Sequence, residues 1–152
     1  MPNVIEFLER TSSLNYEDVL SKVWNDKRVQ DKIIELNTRE QLFNKGVNSQ
    51  NEVIGYYSKA TEEISGGRKK EGEHYTLLDT SEFFDSFRIL VFGSIAEIIA
   101  DTMKTNPFAG TEDLTVKYGK EIIGLTDESK TILKEIISQV TKEILRNYLS
   151  IS

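Results

Sequence analysis

Residues 88–101 read RILVFGSIAEIIAD, and this stretch decides between an all-helical chain and a mixed one. Residues 89–92 are β-branched, aromatic or aliphatic, and a second apolar run follows a Gly-Ser pair at 93–94. Such a pair between two apolar runs favours a hairpin turn with glycine at positive φ. The isoleucines within 95–99 also fit one face of a helix over 94–102, so periodicity alone leaves both structures open.

The C-terminal part of the chain predicts one long amphipathic helix. Asp127 and Glu128 follow Thr126, and acidic residues suit the first turn because it is the positive end of the helix dipole. An apolar row then recurs at every fourth position, with charged residues opposite, which favours packing on the core or on a second copy. The row is Ile132, Ile136, Val140, Ile144 and Tyr148, flanked by Leu133, Ile137, Leu145 and Leu149. Upstream, Thr111 is expected to cap a short helix over 112–118.

The first half of the chain is also predicted to be helical. Asn15 can cap a helix that begins at Tyr16, and the apolar residues within 19–24 fall on one stripe of it. A second periodic segment follows. We then expect a new helix start, with Asn37 or Thr38 as its cap.

This restarted helix should place Leu42 and Phe43 in the core, and Gly46 should end it in the left-handed conformation. The segment 46–76 that follows is an extended, Gly-rich loop, with a possible short helix over 59–65. Long irregular loops are uncommon in compact domains and often functional. The loop has few large apolar anchors, so we expect partners to order it.

A motif-rich stretch lies between this loop and the strand candidate. Residues 75–78 predict a short buried strand. Thr80 or Ser81 is expected to cap a short helix over 82–87. The aromatic face of this helix consists of Phe83, Phe84 and Phe87. Such a cluster is typical of a core.

Together these elements predict an α+β fold with N-terminal helices, a small antiparallel sheet with a β-hairpin, and a long C-terminal helix. The 152 residues suit one domain over 1–152. The net charge of −6 argues against bulk binding to nucleic acid, which needs clustered lysine and arginine. The chain has no cysteine, which excludes disulfides and thiolate metal sites.

The sequence shows no sign of membrane insertion or export. No apolar run reaches the ~18 residues of a transmembrane helix, so no membrane partner is expected. Residues 1–6 lack the basic and apolar regions of a signal peptide, so we expect synthesis in the cytoplasm.

The sequence offers few candidate catalytic residues or motifs. His74 is the only histidine, and its Gly/Glu/Lys surroundings predict a solvated loop residue. Phosphate-binding loops, dinucleotide fingerprints and nucleophile elbows are absent. Asp79-Thr80-Ser81 is only superficially similar to an aspartic protease box, because the helix expected after it makes Thr80 or Ser81 a cap. We therefore predict no catalytic residue, no cofactor and no metal ion.

Five short segments carry a family resemblance by their order. They are 42–46 (LFNKG), 55–61 (GYYSKAT), 66–70 (GGRKK), 76–87 (TLLDTSEFFDSF) and 118–126 (YGKEIIGLT). This order resembles the virion-morphogenesis or tail-completion proteins of tailed bacteriophages, whose Leu-x-Asp-Thr-Gly box precedes a helix. Two features depart from that pattern, since Ser81 stands where the family has glycine and the Pro-Ala-Arg-type entry to the last helix is absent.

The resemblance implies a structural subunit of the head–tail neck or tail, without catalysis. It implies a ring, which we expect to hold six or twelve copies, around the DNA channel and in contact with portal, neck and tail proteins. The subunit would be made in the host cytoplasm and located in the virion, where its negative charge would keep channel DNA from sticking. The family's hairpin also favours the strand structure for 94–102. The candidate subunit interface is Tyr56, Tyr57, Lys59, Arg68, Lys69 and Lys70, and the candidate structural box is Leu78, Asp79, Thr80, Phe83 and Phe87.

Two other functions stay open. One is a small intracellular binding or regulatory adaptor. The other is a nucleic-acid-associated protein that uses Arg68, Lys69 and Lys70 together with Tyr56 and Tyr57. In an acidic chain, three contiguous cations are also typical of a solvated turn or of a docking site for an acidic neighbour.

Overall fold

Helices dominate both ends of the chain, and two short hairpins lie between them. The structure, a computed structural model, describes residues 3–150. Its α-helices are α1 (Val4–Ser12), α2 (Tyr16–Asn25), α3 (Lys27–Glu35), α4 (Lys59–Ile64), α5 (Glu82–Asp85), α6 (Leu114–Tyr118) and α7 (Asp127–Leu149). Its strands are β1 (Arg88–Phe92), β2 (Ile95–Ile99), β3 (Met103–Asn106) and β4 (Gly110–Asp113). The α+β fold is therefore confirmed.

The stretch at 88–101 forms the expected hairpin. β1 and β2 pair antiparallel through a two-residue turn, and Gly93 takes φ +57° as the turn requires. Trp24 Nε1 donates to the Ser94 carbonyl at 2.9 Å, which ties this turn to α2. Ile89 and Ile98 face inward and pack on the core, because alternate residues of a strand point to one side. The helical alternative for 94–102 is therefore wrong.

One apolar core lies between α2, α3 and α7. Its buried members are Val23, Val29, Ile33, Leu36, Leu133 and Val140. The row predicted on α7 is correct at its centre, where Val140 is fully buried. Ile132 and Tyr148 instead lie among the exposed apolar residues, although Leu133 beside Ile132 is buried. The helix start predicted at Asn15 is confirmed, because the Asn15 side chain accepts a hydrogen bond from the Glu17 N–H.

A second core lies around the π-helical segment and the aromatic helix α5. Its buried members are Leu42, Phe84, Phe87, Leu114 and Ile122, and Ile98 packs against both cores. Leu42 is buried as expected, but the prediction for Phe43 was wrong. Phe43 lies exposed, with the Arg39 guanidinium carbon 5.8 Å from its ring centre.

The helix start expected at Asn37 or Thr38 is wrong, since α3 continues without a break into a π-helix over Leu36–Lys45. Asn37 is fully buried, and its amide donates to the Ile122 carbonyl at 3.0 Å and accepts from the Gly124 N–H at 2.8 Å. The wider π-helical turn puts Gln41 on the same face. Gln41 donates to the Gly124 carbonyl at 2.8 Å and accepts from the Thr126 N–H at 2.9 Å.

These four hydrogen bonds fix the chain that leads into α7. The two side-chain amides pair with backbone groups of alternate residues, Ile122, Gly124 and Thr126, as a neighbouring strand would. The π-helix ends at Gly46, whose φ of +64° is the predicted left-handed conformation.

The region of the structural box differs from its prediction. Residues 75–78 form no strand, because Leu77 takes φ +55° and breaks the extended conformation. The helix that follows ends at Asp85, which is earlier than expected. Ser81 precedes it with φ +65°, and its hydroxyl donates to the Asp85 carboxylate at 2.7 Å and caps no helix N–H.

A second hairpin, β3–β4, occupies the place where Thr111 was expected to cap a helix. Thr111 pairs with Thr105 in the hairpin, and the turn closes at Gly110 with φ +85°. The short helix begins later, capped by Asp113, whose carboxylate accepts from the Thr115 N–H at 2.9 Å. Strand pairing thus removed the first residues of the predicted helix.

The Gly-rich loop contains one short helix and two isolated bridges. Helix α4 was expected, and the Ser58 hydroxyl caps it by accepting from the Thr61 N–H. The bridges join Val47 to Val53 and Tyr56 to His74. Within residues 3–150, no helix is long and apolar enough to cross a membrane.

Candidate functional site

A cleft of about 440 Å³ lies where the Gly-rich loop, the structural box and the second hairpin meet. The loop contributes Tyr57 and Lys69, the box contributes residues 77–83, and β3 contributes Lys104. Helix α6 closes the remaining side with Tyr118. The cleft is therefore built from segments far apart in sequence.

Asp79 is the electrostatic centre of this cleft. Its carboxylate lies 2.6 Å from Lys104 Nζ and 3.5 Å from Lys69 Nζ. The hydrogen bond from Lys104, with a smaller effect of the Lys69 charge, lowers the pKa of Asp79. An aspartate held ionised in this way is suited to binding cations and is poorly suited to donating a proton.

The backbone that presents Asp79 is unusual. Leu77 and Ser81 on either side of it both have positive φ, at +55° and +65°. Residues other than glycine seldom adopt this conformation, which persists only where the surroundings impose it. Such backbone strain is concentrated at functional sites, so the box is a candidate site by geometry as well as by resemblance.

Three tyrosines form a continuous wall along the cleft. The ring centres of Tyr57 and Tyr75 are 4.9 Å apart, and those of Tyr75 and Tyr118 are 5.6 Å apart, both edge to face. Burial raises the pKa of Tyr118, so its hydroxyl stays protonated. Lys117, which lies next to this wall, pairs with Glu112 at 3.4 Å. The wall offers flat, amphipathic contact area of the kind found at binding surfaces.

The structure brings about half of the predicted site residues together. The cleft is lined by Tyr57, Lys69, Leu78, Asp79, Thr80 and Phe83. Loop and box, which the sequence treated as separate sites, thus share one surface. Phe87 is buried in the second core. Exposed positions outside the cleft are held by Tyr56, Lys59, Arg68 and Lys70.

His74 is packed, and its description as a solvated loop residue was wrong. Its Nε2 lies 3.0 Å from the Asn44 carbonyl and its Nδ1 lies 3.0 Å from the Tyr75 carbonyl. A Cβ added at Gly46 would come within 2.4 Å of the imidazole ring. The histidine therefore joins the end of the π-helix to the returning arm of the loop, which explains why position 46 carries no side chain.

Sequence reasoning missed Lys104, Lys117 and the tyrosine wall. Lys104 lies in a strand that was not expected, and single lysines in a charged chain give no signal of their own. Tyr118 ends a helix whose predicted start was wrong. Within residues 3–150, no three acidic or histidine side chains form a group suited to a metal ion.

Comparison of this chain with protein-family models, with curated proteins and with solved structures found no match. Function is therefore inferred from the chain's own residues, from its geometry and from the resemblance described above.

Proposed function

We propose that this protein is a structural subunit of a tailed-phage virion, forming part of a ring in the neck or tail. It would act by subunit–subunit assembly and carry out no catalysis. Six or twelve copies would surround the DNA channel and contact portal, neck or tail proteins. The protein would be made in the host cytoplasm and reside in the virion.

The observation that carries this proposal is apolar surface without a partner on separate elements. On α1, the residues Val4, Ile5 and Leu8 are 74%, 69% and 60% exposed, and the helix has no buried residue. On the first hairpin, Phe92 and Ile95 are 61% and 65% exposed. Exposed apolar surface of this kind marks contact sites, because leaving it in water is unfavourable.

The form of these surfaces is compatible with a ring. One surface is a helix and the other is the outer face of a β-ribbon, so they differ in shape. If the helix of one copy packs on the ribbon of the next in a head-to-tail series, the contact is heterologous, and a heterologous contact forms a ring when its rotation closes.

The backbone of the structural box gives further support. The family has glycine where this chain has Ser81, and Ser81 takes φ +65°, a conformation that glycine adopts without strain. This conformation is compatible with a glycine at the corresponding position of the family's box.

Assembly can be tested on the purified chain by mass photometry and electron microscopy. We expect wild-type chains to form rings, and the double substitution of Phe92→Ser with Ile95→Ser to leave monomers without unfolding them. Glu97→Gln, a polar change on the same ribbon face, is the matched control and should assemble as wild type. A wild-type chain that stays monomeric, alone and with virion proteins, contradicts the proposal.

A nucleic-acid-associated function has narrower support. Arg68, Lys70 and Tyr56 are exposed, whereas Lys69 and Tyr57 lie in the cleft. Binding to single-stranded DNA that weakens steeply with salt, and that is abolished in Arg68→Glu with Lys70→Glu, would favour it over assembly. If that double variant bound single-stranded DNA as tightly as the wild type, the nucleic-acid-associated function would be ruled out.

A further inference from the structure

Residues 58–72, here called the lid, project from the body of the protein over the cleft. None of them is buried, and Ile64 on α4 is 88% exposed. Helix α4 makes no extensive contact with any other described helix or strand. The lid is therefore not held in place by an apolar core.

The lid keeps its own shape through internal hydrogen bonds. The Ser65 hydroxyl accepts from the Lys69 N–H at 3.0 Å, and the Glu62 carboxylate accepts from the Glu71 N–H at 2.8 Å. These bonds link α4 and the turn after it to the returning arm of the lid. Because they lie within the lid, they would survive a movement of the lid as one unit.

The two ends of the lid meet at a narrow neck. The Tyr57 N–H donates to the Glu73 carbonyl at 2.9 Å, and the Gly72 N–H donates to the Tyr57 carbonyl at 3.0 Å. Gly72 has φ +81° and open space around its Cα. Gly72 lies in this neck, which only two backbone hydrogen bonds hold, and its conformational freedom gives the chain a point about which the lid can turn.

One ion pair fastens the lid to the body. Lys69 Nζ lies 3.5 Å from the Asp79 carboxylate, and within residues 3–150 no other hydrogen bond or ion pair joins the lid to residues beyond the neck. The same ammonium lies 5.7 Å from the ring centre of Tyr57 at the neck. Lys104 holds the other carboxylate oxygen at the shorter distance of 2.6 Å. Asp79 would therefore still be paired with Lys104 when Lys69 moves away. For this reason the Lys69 contact can break without leaving the carboxylate unpaired.

We propose that the lid turns about its neck to open the cleft, and that the Lys69–Asp79 pair is the latch that closes it. Opening would uncover the tyrosine wall and Asp79, and would free Lys69 for a carboxylate on a binding partner. This gating of the cleft does not depend on the ring, since it concerns one chain. The latch is half-exposed, so its contribution is small and the open form is accessible.

The absence of native cysteine allows a direct test. Thr61 lies on the lid and lines the cleft, so a Thr61→Cys chain reports lid opening by its rate of reaction with a neutral maleimide. We expect Lys69→Gln and Asp79→Asn to raise that rate about two- to five-fold, as loss of a half-exposed ion pair predicts. Salt should raise the rate in the Thr61→Cys chain and have little effect once Lys69 is replaced.

Two matched variants separate the latch from general effects of charge. Lys104→Gln removes a cation from the same cleft but leaves the latch, and Asp31→Asn breaks the Lys27–Asp31 pair elsewhere. Asp31→Asn should leave the rate unchanged, and Lys104→Gln should leave it unchanged or lower it, because it removes the cation that shares Asp79 with Lys69. An unchanged rate in Lys69→Gln, or an equal rise in Lys104→Gln, would overturn the proposal. An equal rise at a Ser129→Cys reporter, which is buried on α7, would also overturn it, because Lys69 would then support the whole fold.

Discussion

Asn37 and Gln41 show how much of this fold depends on two buried amides. Both are almost fully removed from water, and each makes two hydrogen bonds to the chain that leads into α7. Neither is a helix cap, the role that the sequence suggested for Asn37. Their role was not predictable because a cap and a buried amide use the same residue type, and only tertiary structure brings 122–126 within reach.

Replacing Asn37 should therefore be strongly destabilising. In Asn37→Ala the Gly124 N–H and the Ile122 carbonyl lose their partners in a buried place, so we expect a loss of about 2–4 kcal/mol in unfolding free energy. Urea denaturation measures it. Asn44→Ala is the control, because Asn44 is an exposed amide of the same π-helix and its loss should be close to neutral. Equal stability of the two variants would contradict the role of Asn37.

Glycine at position 81 should stabilise the protein. The φ of +65° at Ser81 is strained for serine, so Ser81→Gly should raise the free energy of unfolding by about 0.5–1 kcal/mol. Loss of the exposed hydrogen bond from the Ser81 hydroxyl to Asp85 reduces this gain. Thr80→Gly, at a neighbouring position without positive φ, should lower stability instead. Thermal unfolding of the two variants decides the matter, and a loss of stability in Ser81→Gly would show that the turn is not strained.

At the scale of elements, strongly apolar or periodic segments were more predictable than short polar ones. The hairpin at 88–101 follows from two apolar runs around Gly93, and α7 follows from its apolar row. The second hairpin was missed because β3 and β4 are short, polar and mostly exposed, so no alternation marks them. The cleft was only half predicted, since Lys104 enters it from that hairpin.

Arg28 links α3 to α7 and makes the pairing of these elements sensitive to acid. Its guanidinium lies 2.9 Å from Asp26 and 2.7 Å from Glu143. The hydrogen bonds from Arg28 lower the pKa of Asp26 and of Glu143. A lowered pKa in the folded state stabilises the protein above the ordinary carboxyl range, and this contribution is lost as the pH falls through the lowered value.

We therefore expect Arg28→Gln to reduce stability at neutral pH and to make the acid side of the stability curve less steep. The measurement is the urea midpoint from neutral pH to below the ordinary aspartate value of 3.8. Lys27→Gln, which breaks only the exposed pair with Asp31, is the control and should leave the slope unchanged. If Arg28→Gln and Lys27→Gln gave the same slope, Arg28 would have no special part in acid stability.

At the scale of the whole molecule, the chain is a small body that carries unpartnered surfaces. Helix α1, the outer face of the first hairpin and the lid project from the two cores. The fold class could be predicted from apolar patterning because patterning determines which faces are buried. Partners could not be predicted in this way, since an exposed apolar residue shows that a contact is favourable without showing with what.

We propose that these surfaces assemble the protein into a ring in a virion. The most direct measurement is electron microscopy of the purified chain and of particles from the same source, with mass photometry to count copies. We expect a closed ring of six or twelve copies, or density for this chain at the head–tail junction. A chain that remains a monomer at high concentration and is absent from particles would contradict it.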